Sequence, residues 1–154
     1  MFSLLKSFFG QASNDSRMDK EVTGAMESLD IQAAMAAHEN WKLRLMAYLD
    51  GTSKEEFVAE VICFDNRCDL GQWIYSTGKA SLGKYPGFTA LMGHHKMFHY
   101  AASNVVALAK SGKETEARKM LDGQFHSFSK SVVDDLQLLQ DVVTRAKNSH
   151  RKAG

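Results

Sequence analysis

Apolar residues recur along most of this chain at alternating steps of three and four, the period of a helix with one buried face. From about Lys20 to Leu49 the stripe runs Ile31, Met35, His38, Trp41, Leu45 and Leu49, with Ala34 and Met46 beside it. That spacing predicts one long helix, closed by Gly51. Ser53 and Glu56 have the spacing of a capping box. They predict a second helix carrying Phe57, Val58, Val61 and Ile62, with a break at Asp65 or Asn66. A short helix with Cys68, Leu70, Gly71, Trp73, Ile74 and Tyr75 follows and ends near Gly78. From Gly78 to Gly87 come three glycines and the only proline, which reads as a loop. Pro86 suits the first turn of the next helix, whose stripe is Phe88, Leu91, His95, Phe98, Ala102, Val105 and Ala109. Ser111 and Gly112 end it near Lys110. The last helix runs from about Glu114 to Lys147 on Ala117, Leu121, Phe125, Phe128, Val132, Leu136, Leu139 and Val143, with Gly123 as a point where it can kink.

Four substantial helices with short connections predict an all-α fold, an antiparallel four- to five-helix bundle. The expected organisation is an apolar N-terminal segment and polar linker over residues 1–18, the bundle over 19–148, and a polar tail over 149–154. Within the first segment Phe2, Leu5 and Phe9 share one helical face, which suits covering the bundle or docking on a partner. The segment makes a poor signal peptide, having no basic residue before its apolar run. A length of 154 residues suits one domain with a real core. The net charge of +1 and scattered basic residues give no footing for nucleic acid. No run approaches the roughly 20 apolar residues that span a bilayer, so no membrane span is expected. The two cysteines, Cys63 and Cys68, fit a reducing cytoplasm better than a disulfide framework.

The chemistry lies in four residues: His38, Cys68, His95 and His99. His95 and His99 are four apart, so on a helix they stack on one face and can grip one ion. One thiolate with three imidazoles is the closed donor set of tetrahedral zinc, here placed between helices. A lone histidine on an apolar stripe is more often a hydrogen-bonded core residue than a ligand, but three in one small core would each need a polar partner that a metal supplies at once. Their outer ring nitrogens need partners too, from Asp65, Asp69, Glu39, Gln72, Tyr75 or backbone carbonyls. His94 is turned about 100° from His95 and points elsewhere. No catalytic constellation competes: His95-Lys-Met-Phe-His99 lacks the glutamate of a zinc protease helix, and the acids fall mostly outside the stripes.

The segments His38-Glu-Asn-Trp41, Cys68-Asp-Leu70-Gly71-Gln-Trp73 and His95-x-x-x-His99 resemble the chemoreceptor zinc-binding (CZB) domain over roughly residues 20–145. The resemblance implies a helical bundle, usually a homodimer, holding one zinc per protomer through His38, Cys68, His95 and His99. It implies a non-enzymatic cytoplasmic sensor in which zinc level, or oxidation of Cys68 by hypochlorous acid, alters the output of a chemoreceptor or diguanylate cyclase. With no such effector segment in sight, the expectation is a stand-alone copy acting in trans. The alternative is a constitutively zinc-loaded structural module. Gly71 is expected to make room beside the site, and Trp41 and Trp73 to pack around it.

Overall fold

The computed structural model describes residues 16–154, and among these no strand occurs. Helix α1 is Ser16–Met26 and α2 is Ile31–Leu49. The one-turn α3 is Ala59–Ile62 and α4 is Asp69–Trp73. A widened π turn, Ile74–Gly78, carries α4 into α5, Lys79–Leu82. Helix α6 is Pro86–Lys110. Helix α7, Glu114–Met120, passes through a second π turn, Leu121–Phe125, into α8, His126–Lys152. The chain folds as the expected all-α bundle.

Cross-contacts give the directions of the rods. Phe98 meets Phe125 at a ring separation of 5.0 Å, while His94 reaches Asp135. Higher numbers on α6 therefore face lower numbers on α8, so the two are antiparallel. Lys42 lies beside His126 and Asp19 pairs with Arg145, so α2 and α1 follow each other along the same α8, also antiparallel to it. The α3 segment runs back along α6: Lys110 bonds the Phe57 carbonyl, and Ser103 donates to that of Ala59 at 2.8 Å. The core lies between these rods and includes Leu45, Leu91, Phe98, Phe125, Leu136 and Leu139.

The stripes of α2, α6 and α8 bury as the helical period predicts, but several boundaries differ. Ser16 to Met18 are helical and Met18 is buried, so the polar linker stops before residue 16; what precedes lies outside the described residues. The first long helix is two, broken at residues 27–30, and Asp30 caps α2 by accepting from the Ala33 amide at 3.0 Å. Ser53 and Glu56 do not start a helix. The Ser53 hydroxyl accepts from Glu55 instead, and Glu55 is held by Arg44 at 2.6 Å. Phe57 turns inward against Trp41 and Tyr48, and helix begins only at Ala59. The helix also continues through Gly78, where a loop was expected. A Cβ there would lie 2.9 Å from the Phe88 ring and 3.0 Å from Trp73, so this glycine serves close packing and not a turn. The last helix extends into the expected tail, to Lys152. Gly123 sits in the π turn, a widening of the helix in place of a kink.

Candidate metal centre

The four donors come from three elements that the packing forces together. His38 lies mid-way along α2, and His95 and His99 are one turn apart on α6. Cys68 is not inside a helix but at the N-cap of α4, where its sulfur accepts from the Gly71 amide at 3.3 Å. A Cβ on residue 71 would lie 1.8 Å from the Asp65 carbonyl oxygen. Gly71 thus makes room for the backbone of the preceding turn, at Asp65 and Asn66.

One donor atom from each of His38, Cys68, His95 and His99 lies within 4.8 Å of the other three. Cys68 Sγ is 3.3 Å from His95 Nε2 and 3.7 Å from His99 Nε2, and those two nitrogens are 3.2 Å apart. Bond lengths of about 2.0–2.1 Å to nitrogen and about 2.3 Å to sulfur give tetrahedral edges of about 3.3 Å for N···N and about 3.6 Å for N···S. Three donors already stand at those separations.

The outer ring nitrogens orient the rings. His38 Nδ1 donates to the Ala34 carbonyl at 2.6 Å, and His99 Nδ1 to the Ile62 carbonyl at 2.9 Å. Both rings therefore turn a bare Nε2 lone pair inward. Sequence reasoning left open which group would do this. Backbone carbonyls do it, while Asp65 is taken by the Tyr75 hydroxyl at 2.6 Å and Gln72 donates to the Arg67 carbonyl. The one turn from Ala34 to His38 was available from helix geometry; Ile62 had no sequence signal.

Burial sets the electrostatics. His38, His95 and His99 are 3%, 0% and 5% exposed. Loss of water, reinforced by the neighbouring rings, pushes His38 down to about 4 and His95 down to about 2. Burial also lowers His99, against the opposing pull of the Ile62 hydrogen bond and Asp65. All three are neutral at pH 7, as metal ligands must be. Burial raises the Cys68 thiol, opposed by the Gly71 and Leu70 amides. His38 Nε2 and His95 Nδ1 are buried without a hydrogen-bond partner. A cluster of inward lone pairs with an unpartnered buried nitrogen is costly alone and is satisfied by a cation.

The remaining histidines stand apart. His94 Nδ1 pairs with Asp135 on α8 at 2.7 Å, and His126 lies near Lys42. Cys63 bonds the Glu60 carbonyl. Trp41 packs on Phe98, whose ring lies 4.9 Å from His38, while Trp73 packs on Phe88 and donates its Nε1 to the Ala25 carbonyl at 2.9 Å.

Compared with known families, residues 38–106 match the chemoreceptor zinc-binding domain, a segment that begins at His38 and contains all four donors. This segment is similar to the CZB family. The cofactor of that family is zinc, and the donor set here fits it. No curated protein and no solved structure gives a significant match. None of the described helices is long and apolar enough to cross a membrane.

Proposed function

We propose that this chain is a zinc-binding regulatory domain whose ion is held by His38, Cys68, His95 and His99. It acts without catalysis, in the cytoplasm, on chemotaxis or cyclic-di-GMP signalling. The observation that carries the ligand assignment is the convergence of one thiol and three imidazole nitrogens, with His38 Nε2 buried and unpartnered among them. Bound zinc would keep Cys68 as thiolate, the form that oxidants attack. Hypochlorous acid would transfer its chlorine to that sulfur with loss of hydroxide. Water would then displace chloride to leave a sulfenic acid, a two-electron oxidation of sulfur matched by reduction of the chlorine.

The chain offers a readout for either input. Cys68 is at once donor and helix cap, so a change at its sulfur weakens the start of α4. Trp73 lies in the same helix and holds α1 through the Ala25 carbonyl. A shift of α4 therefore reaches α1 and the N-terminal end of the described chain. The exposed apolar side chains Leu43, Val58, Val61, Phe64, Met97 and Tyr100 offer surface for a homodimer or a partner.

A second reading is that zinc stays bound and only ties the helices together, and the site's place between α2, α4 and α6 favours it. Metal analysis of purified protein tests the shared part: about one zinc per chain is expected. Cys68→Ala and His99→Ala should lose most of it, whereas His94→Ala keeps it. Full zinc in the Cys68 variant would reject the ligand set. Capture of a partner that changes with graded chelation separates sensor from structural tie, and sedimentation as a monomer would reject the dimer.

A further inference from the structure

The four donors are not equally enclosed. A cleft of about 640 Å³ opens between the first turns of α2 and the run from α4 into its π turn. Only His38 and Cys68 of the four line it, and His95 and His99 lie behind them. Cys68 is half-buried, while the three imidazoles are buried. His38 is 3% exposed, and its unpartnered Nε2 belongs to the residue at the inner end of this cleft.

The α2 wall is built of small side chains and the charge has one sign. Ala33, Ala34 and Ala37 form the α2 side, and Ser76 and Thr77 stand in the opposite wall. Asp30 and Asp69 both line the cleft, and among the described residues its lining holds no lysine or arginine. Such a passage concentrates cations and disfavours anions. On another side Phe98 is fully buried against His38.

We propose that this cleft is the port through which a divalent metal ion and small uncharged reagents reach the cluster, with Ala33 and Ala37 keeping it open and Asp30 and Asp69 drawing the cation in. The metal half of this rests on the zinc assignment above; the access half concerns Cys68 alone. Ions arriving this way meet Cys68 and His38 first and the α6 histidines second. Release runs in the reverse order, so the α6 histidines let go first and Cys68 and His38 hold the ion last.

The experiment has a metal-free arm and a zinc arm. In the first, chelator-treated protein reacts with iodoacetamide, and mass spectrometry follows Cys68 against Cys63, which does not line the cleft. Ala33→Phe and Ala37→Phe should slow Cys68 by about tenfold, the effect of about 1.4 kcal/mol on a barrier, and leave Cys63 unchanged. Ala36→Phe, exposed on α2 but outside the lining, is the size control. In the second arm, stopped-flow mixing with a chromogenic chelator gives zinc uptake and release rates. The Phe variants should slow both rates together and leave their ratio, the affinity, within about threefold, because a port changes kinetics and not equilibrium. Asp69→Asn and Asp30→Asn, the latter still able to cap α2, should slow uptake several-fold and flatten its salt dependence.

Should a Phe variant not fold, as judged by helicity, the two Asn variants decide. Wild-type rates in folded variants, in both arms, overturn the port. Protein that binds no zinc while Cys68 is still shielded by the Phe variants would sink the zinc assignment and leave the access route standing.

Discussion

Three neutral imidazoles in a core are a liability when acid is added and no metal is present. His38 and His95 carry folded values of about 4 and about 2, against an ordinary 6.5. The unfolded chain therefore binds protons below about pH 6.5 that the folded chain refuses. Stability should fall as pH drops through 6.5, and keep falling until each folded value is reached. From pH 7 to pH 5 the loss is about 2 kcal/mol per histidine and about 4 kcal/mol for the pair. His99, lowered by burial, adds in the same direction. Asp135, raised by burial, acts in the opposite direction because the folded chain takes up its proton more readily, while the remaining shifted groups are quiet in this window. The Cys68 thiol, raised by burial, stays protonated, and the lowering of Glu21 matters only below its ordinary 4.5. A loss of about 4 kcal/mol is a large share of the roughly 5–15 kcal/mol that holds a domain together. The assay is urea unfolding followed by helical circular dichroism, with a chelator present, at several pH values. His95→Leu should remove its share of about 2 kcal/mol from the loss, since it replaces a fully buried imidazole with an apolar group of similar size. Metal-free stability that changes by less than about 1 kcal/mol over the range, or a His95→Leu variant with the full slope, would refute the reasoning.

Three further outcomes follow from particular contacts. Gly71→Ala drives a methyl into the Asp65 carbonyl, 1.8 Å from the Cβ position, so stability should fall by about 1–3 kcal/mol and zinc affinity with it; thermal unfolding and chelator competition measure both. Trp73→Phe loses the hydrogen bond to Ala25, which should cost about 0.5–1.5 kcal/mol and loosen α1 by hydrogen exchange, while zinc content stays the same. Substoichiometric hypochlorous acid should modify Cys68 and release zinc before Cys63 or the methionines react, and peptide mapping showing the reverse order would remove the redox input.

The stripes of α2, α6 and α8 were legible because each is a long helix with one face in the core, where period alone decides burial. The features that were not legible are those settled by tertiary contact. Ser53 and Glu56 had the spacing of a cap, but Phe57 gains more by reaching Trp41 and Tyr48, which holds residues 53–58 out of a helix. Gly78 and Gly83 read as loop punctuation, yet both lie where a Cβ would collide, at 2.9 Å from Phe88 and 2.6 Å from the Lys79 carbonyl. The break before α2 had a signal in Asp30, whose side chain could cap, but nothing in the stripe required the helix to stop there.

The candidate site shows the same division. Residue types and the four-residue step of His95 and His99 pointed to a shared ion, and the three-dimensional packing brings all four donors within 4.8 Å. What the linear pattern could not carry is the dual position of Cys68. It was read as a residue within a helix, but it stands at the cap, where its sulfur has two claims on it: the Gly71 amide from its own backbone, and the α6 imidazoles across the bundle. A mid-helix cysteine could change its chemistry and leave its helix intact. A cysteine at the cap cannot, because the atom that changes is the atom that holds the first turn. Only the five residues Asp69–Trp73 separate Cys68 from the π turn that follows, and a π turn trades regular hydrogen bonding for a bulge. The segment most tightly tied to the donor set is thus among the least supported by its own helix, and Trp73 on α1 is its firmest outside hold. That combination makes α4 the element expected to move first when the sulfur changes state.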